Sequence, residues 1–125
     1  MGILDGWLGN AEEVDVNKLG DEFGDLLIEG EQIQRAFQLV RDMFIFTDKR
    51  FIMIDKQGMS GNKVEYHSIP YRAITHFSVE TAGGFDRDAE LKIWLSGTHS
   101  SIDRQLKKGM DIIGVQRTLA QYVLR

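Results

Sequence analysis

A hairpin that is apolar on both of its faces constrains this chain more than any other feature. It lies within Arg41–Tyr71, RDMFIFTDKRFIMIDKQGMSGNKVEYHSIPY. Met43–Thr47 and Arg50–Lys56 read as strands rich in Phe, Ile and Met. With Thr47-Asp48-Lys49-Arg50 as the turn, Phe46 lies opposite Phe51, Ile45 opposite Ile52, Phe44 opposite Met53 and Met43 opposite Ile54. Strand alternation then gathers Phe44, Phe46, Phe51 and Met53 on one face and Met43, Ile45, Ile52 and Ile54 on the other. A small β-domain has one interior, so the second apolar face must be covered as well. Leaving it in water would forgo roughly 1.5–3 kcal/mol per side chain. The cover can come from the N-terminal segment, from a neighbouring subunit, from both, or from elsewhere in the same chain. Met43, Ile45, Ile52 and Ile54 are therefore candidates for an oligomer interface or a covered outer face.

Trp7 joins that candidate set. Ile3, Leu4, Trp7 and Leu8 fall at helical spacing and form a short apolar stripe. A membrane-surface anchor would carry Lys or Arg on its polar face. The neighbours here are Asp5, Glu12, Glu13 and Asp15, and Gly6 stands where a myristoylation signal needs Ser or Thr. The stripe is expected to pack on the domain or on a neighbouring subunit. Asn10 is expected to cap a helix running to about Gly24, with Val14, Leu19 and Phe23 on one face. Gly20 and Gly24 weaken that helix, so it should be short or broken.

The remaining chain reads as more strands and one closing helix. Ile33, Phe37 and Leu39 alternate with Gln32, Gln34 and Gln38. Gly58 and Gly61 punctuate the loop after the central hairpin. Val64 and Tyr66 mark a fourth strand, which Pro70 ends because proline cannot donate to a ladder. Phe77 and Val79 mark a fifth, Leu91, Ile93 and Leu95 a sixth, and Ile102 and Leu106 a weaker seventh from about Ser100. Ile112, Val115, Leu119 and Tyr122 then switch to helical spacing, widened by Ile113 and Val123.

At this point LLIEGEQI at 26–33, the Arg41–Tyr71 string and ITHFSVETAG at 74–83 carry a family likeness. The chain resembles the bacterial pleckstrin-homology (PH) domain family from about Leu26 onward. The resemblance implies a mainly β fold: a seven-stranded, bent antiparallel barrel capped by a C-terminal helix. Residues 26–125 would form this PH-like domain and residues 1–25 a short helical N-terminal extension. The resemblance also implies a ring-forming cyclic homo-oligomer, with a pentamer as first choice. Many eukaryotic PH domains bind phosphoinositides through several Lys and Arg around the loop between the first two strands. Here Arg41 in that loop is answered at once by Asp42, a poor phosphate cradle.

Composition narrows the function classes. At 125 residues with 42% hydrophobic and 27% charged residues, the chain suits one globular domain. There is no Cys, so disulfides and thiolate metal sites are excluded. No signal peptide is read at the N-terminus, and a cytoplasmic location is the expectation. A net charge of −4 argues against nucleic acid or anionic lipid as a general partner.

No catalytic, cofactor or metal site is expected. His67, His76 and His99 lack metal-type spacing, although His67 and His76 could meet on adjacent strands. Asp86, Asp88 and Glu90 alternate without the glycine and late Glu of a calcium loop. Gly58–Lys63 has the wrong spacing for a phosphate loop, and no helix follows it. Lys49, Arg50, Lys56 and Lys63 are interspersed with Asp48 and Asp55 and read as a solvated sheet edge. The expected role is a non-catalytic binding or assembly module, with a membrane-surface lipid or phosphate sensor as the alternative.

Overall fold

The computed structural model describes residues 15–39, 41–57 and 63–125. Seven strands form two antiparallel sheets, followed by a C-terminal helix. The four-stranded sheet runs β1 (Ile33–Gln38), β2 (Asp42–Thr47), β3 (Arg50–Gln57) and β4 (Lys63–Pro70). The three-stranded sheet runs β5 (Ile74–Thr81), β6 (Ala89–Leu95) and β7 (Ile102–Leu106). Among the described residues no ladder joins one sheet to the other.

The central hairpin has the register that its alternation dictates. Phe46 pairs with Phe51, Ile45 with Ile52, Phe44 with Met53 and Met43 with Ile54. Thr47 fixes the turn, its hydroxyl accepting the amides of Lys49 and Arg50 at 3.0 and 2.9 Å. The two apolar faces serve two separate cores. Phe44, Phe46, Phe51 and Met53 join Leu91 and Ile93 of the second sheet and Val115 and Leu119 of the helix in the main core. Phe46 and Phe51 stack at 4.6 Å, and Phe44 meets Phe51 edge-on at 5.2 Å.

The second core lies on the outside of the four-stranded sheet, under helix α1 (Val16–Phe23). Leu19 of α1 is fully buried against Ala36, Met43, Ile45, Ile52 and Ile54, with Phe23, Leu27 and Ile33 alongside. Asp15 caps this helix, accepting the Asn17 amide at 3.0 Å. Asn10, Val14 and Trp7 lie outside the described residues. As Gly20 and Gly24 suggest, the helix lasts eight residues and passes into a 3-10 turn at Gly24–Leu26.

The C-terminal helix α2 (Ile112–Val123) buries Ile112, Val115, Leu119 and Tyr122 against the main core, at roughly 1.5–3 kcal/mol for each large side chain. Its cap is Asp111, which accepts the Gly114 amide at 2.9 Å. A Cβ at Gly114 would sit 2.2 Å from that carboxylate, so glycine is what lets the cap close. Tyr122 stacks on Tyr71 at 4.8 Å. The Tyr71 hydroxyl in turn donates to the Thr47 carbonyl at 2.6 Å. Burial, and then Tyr122 beside it, push the Tyr71 phenol upward, so it stays a neutral donor. This contact places α2 over the end of the sandwich where β2 finishes and β3 begins.

Candidate functional site

The far end of the four-stranded sheet is where β2 begins and β3 finishes, some 17 Å along a six-residue strand. Alternation places Asp42 on the same inward face as Phe44 and Phe46, and Asp55 on the inward face with Met53 and Phe51. The two aspartates are direct partners across β2 and β3. From the other sheet β7 sends in Arg104, with Nε 2.8 Å from Asp42 Oδ2 and a terminal nitrogen 3.5 Å from Asp55 Oδ2. The Nε–H makes no aligned hydrogen bond despite that short distance, so the contact is an ion pair rather than a linear charge-assisted bond. Burial, and next the hydrogen bond and charge of Asp55, push Asp42 up to about 6 against the pull of Arg104. Glu65 stands opposite Asp55 on β4. This rim therefore brings two inward carboxylates to one guanidinium and links the two sheets, with Arg41, Lys56 and Lys63 at the same end.

A second polar cluster sits at the opposite end, on the turn before β1. Glu31 is a buried carboxylate. It accepts from Arg50 Nε and Nη2 at 2.9 Å each, from the Thr47 hydroxyl at 2.6 Å and from the Ile28 amide at 3.0 Å. Burial pushes its pKa up, but the bonds from Arg50, Thr47 and Ile28 outweigh burial and hold it at about 2. Arg50 also reaches the Leu26 carbonyl and the Ser68 hydroxyl. This clasp ties the connection between α1 and β1 to the turn of the central hairpin.

The four outer-face candidates, Met43, Ile45, Ile52 and Ile54, come together as one patch, buried beneath α1 of the same chain. Beside them, a recess of about 110 Å³ opens between the end of α1 and the sheet. Phe23, Val64 and Tyr66 line it, with Glu22, Arg41 and Lys56 among its polar members.

The weaker sequence candidates are dispersed. His67 and His76 do not meet on adjacent strands, because β4 and β5 belong to different sheets. His76 stacks on Trp94 at 4.3 Å. Asp88 accepts the Lys108 amide at 2.8 Å in an open polar recess with Asp86 and Arg87. Among the described residues no group of three or more His, Asp or Glu is placed to hold a metal ion. Gly58–Asn62 lie outside the described residues. Among the described residues no helix is long and apolar enough to cross a membrane.

The comparisons with known proteins agree with this architecture. The profile described as Bacterial PH domain matches residues 2–123. The chain belongs to the bacterial PH domain family. It is 50% identical over 121 residues to the uncharacterized protein YjqA of Bacillus subtilis (strain 168), covering 96% of this chain and 97% of that protein. The crystal structure of a pleckstrin homology domain from Shewanella amazonensis SB2B superposes with a TM-score of 0.82 at 55% identity, covering 89% of this chain and all of that one. A DUF1696 family protein with a pleckstrin-homology domain from Shewanella loihica PV-4 gives 0.78 at 54% identity, covering 92% and 98%.

The rim and the clasp have little local signature in the sequence. Asp42 adjoins Arg41 and Asp55 adjoins Lys56, yet alternation places both carboxylates inward. That phase, carried two residues past Phe44 and Met53, was the available signal for the aspartates. Nothing local in the sequence pointed to Arg104 or to the pairing of Glu31 with Arg50.

Proposed function

We propose that this bacterial PH domain is a non-catalytic binding and assembly module that forms a cyclic homo-oligomer in the cytoplasm. Residues 26–125 form the PH-like barrel, capped by α2, and residues 1–25 its helical extension. The observation that carries this reading is that the inward charges of the rim are already engaged with one another. Asp42 and Asp55 face Arg104, at the end of the sandwich away from α2. A guanidinium held by two carboxylates is not free to cradle a phosphate.

The ionised groups best placed for acid–base chemistry are already engaged, Glu31 with Arg50 and Asp42 with Arg104. A free acid, base or nucleophile converging on a cavity is what an enzyme reading would require. Assembly is supported by the family resemblance and by Val64 and Tyr66, which stand exposed on one face of β4 and line the same recess. In this reading Met43, Ile45, Ile52 and Ile54 serve the covered outer face, and the segment bearing Trp7 extends that cover.

Size exclusion coupled to light scattering tests the proposal. The expected mass is a whole multiple of 14.3 kDa, with five copies as first choice. A clean monomer at micromolar concentration overturns it. Co-sedimentation with anionic liposomes at low salt tests the alternative of a membrane-surface sensor, and the engagement of Arg104 by Asp42 and Asp55 predicts no binding.

A further inference from the structure

Two strands bound each sheet: β1 and β4 in one, β5 and β7 in the other. An edge strand invites pairing with another chain unless it is shortened, bulged or interrupted. Three of these edges are blunted in that way. The β1 register shifts between Ile33 and Arg35, and the β5 register between Ile74 and His76. Strand β7 has only five residues, with Asp103, Arg104 and Gln105 at its centre. Strand β4 differs. It runs eight residues in unbroken register with β3, and its one proline is the last residue. Val64 and Tyr66 remain 37% and 49% exposed, on the face they share with Ile52 and Ile54.

We propose that the outer edge of β4, unpaired among the described residues, pairs antiparallel with β4 of a second copy of this chain, about a two-fold axis at Tyr66. The partner is chosen by the edges themselves. Pairing β4 with β1, β5 or β7 of another copy would meet a bulge or a short polar strand, whereas β4 is complementary to itself. A two-fold axis perpendicular to a continuous sheet keeps outward side chains outward, so it must pass through a residue rather than between two. An axis at Glu65 would oppose two carboxylates, and like charges directly opposite are destabilising. An axis at His67 would draw Pro70, which has no N–H, into the ladder. An axis at Tyr66 sets Tyr66 against its own mate, Glu65 against the partner's His67, and Val64 against the partner's Ser68. It also adds β4 of the second copy beside an apolar face that is already half built. This contact is separate from any ring contact: alone it gives a dimer, and in addition to a ring it joins two rings.

The chain has no cysteine, so Tyr66→Cys introduces a single thiol. Residues opposite each other in an antiparallel pair have Cα atoms about 4.5–5.5 Å apart, within the ~4.4–6.8 Å that a disulfide spans. Mild oxidation of the full chain should convert Tyr66→Cys to a reductant-sensitive two-chain species. Val64→Cys alone should stay unlinked, but should link when mixed with Ser68→Cys. Tyr66→Asp, at an exposed position, should halve the mass seen by light scattering while the circular dichroism spectrum is unchanged. Failure of Tyr66→Cys to link beyond the collisional level of an exposed control such as Arg72→Cys overturns the proposal. So does self-linking of Val64→Cys, which would mean another register. A ring mass unaltered by Tyr66→Asp, with no link at residue 66, rejects the β4 contact and leaves the ring standing.

Discussion

Replacing Glu31 by Gln tests the clasp that holds α1 to the sheet. The native carboxylate receives four hydrogen bonds, two at each oxygen. Gln keeps one oxygen, and with it two of those bonds. Its amide nitrogen must then face either the Ile28 amide and Arg50 Nη2, or the Thr47 hydroxyl and Arg50 Nε. In the first case the Ile28 amide and one Arg50 Nη2 proton are left without an acceptor; in the second the Thr47 hydroxyl can still donate to the Arg50 carbonyl at 3.1 Å and Arg50 Nε is stranded. Losing one bond to a charged group costs about 1.5–3 kcal/mol and losing one neutral bond about 0.5–1.5. The sum falls near the ~3–5 kcal/mol expected when one partner of a buried pair is removed. The lowered pKa that these same bonds produce gives a similar size. The fall of the Glu31 pKa from 4.5 to about 2 corresponds to about 3 kcal/mol at ~1.4 kcal/mol per pH unit.

Urea unfolding at pH 7 should therefore show Glu31→Gln less stable by about 3–4 kcal/mol, a large share of the ~5–15 kcal/mol available to a domain. The sign of the pH dependence follows from the lowered pKa. The contribution of Glu31 is complete above pH 4.5 and is lost as pH falls toward 2. The gap between native and variant should narrow over that window. A loss below about 1 kcal/mol at pH 7, typical of an exposed pair, would refute the reasoning. So would a gap that stays constant down to pH 2.

Two further perturbations probe the outer core and the rim. Ile45→Asp places a charge at a fully buried position beneath α1, where the cost exceeds about 4 kcal/mol. Circular dichroism should report loss of the fold, and a folded, soluble monomer would show instead that the face is held by contacts between copies. Asp42 has a raised pKa, from 3.8 to about 6, so its contribution is complete below pH 3.8 and disappears as pH rises through 6. Asp42→Asn should melt higher than the native chain at pH 7.5, and the difference should vanish near pH 4. Parallel melting curves across that range would contradict the raised pKa of Asp42.

What the sequence discloses divides along a physical line. The register of β2 on β3 was readable because period-two alternation and a four-residue turn are local properties. The bounds of α2 were readable because its stripe is wide. Helix α1 was harder to bound. Asn10 lies outside the described residues, and Asp15, which caps α1 through the bond from the Asn17 amide, carries no local signal that sets it apart from the other acidic residues before the helix. The rim was hidden because Asp42 adjoins Arg41 in the chain and yet faces the other way, toward an arginine on a strand of the other sheet. The Glu31–Arg50 clasp was hidden for a similar reason: Glu29-Gly30-Glu31 has the composition of a turn, and no local pattern reveals that the last side chain of a turn is buried.

These features together explain how a hairpin can afford two apolar faces in a chain of this size. The main core has both sheets and α2 to enclose it, whereas among the described residues the outer core is covered by a single eight-residue helix. A helix of that length is not stable on its own in water, and Gly20 lowers its propensity further. What holds α1 in place is burial of Leu19 and the anchoring of the following turn by Glu31 and Arg50. Glu31 is therefore remote from Met43 and Ile54 yet controls their access to solvent. If the clasp opens, α1 loses its tether, and the four side chains that the sequence marks as a candidate interface become the surface most in need of a partner. Hydrogen exchange in Glu31→Gln should accordingly rise first at the amides of α1 and of β1, well before those of β6 in the main core.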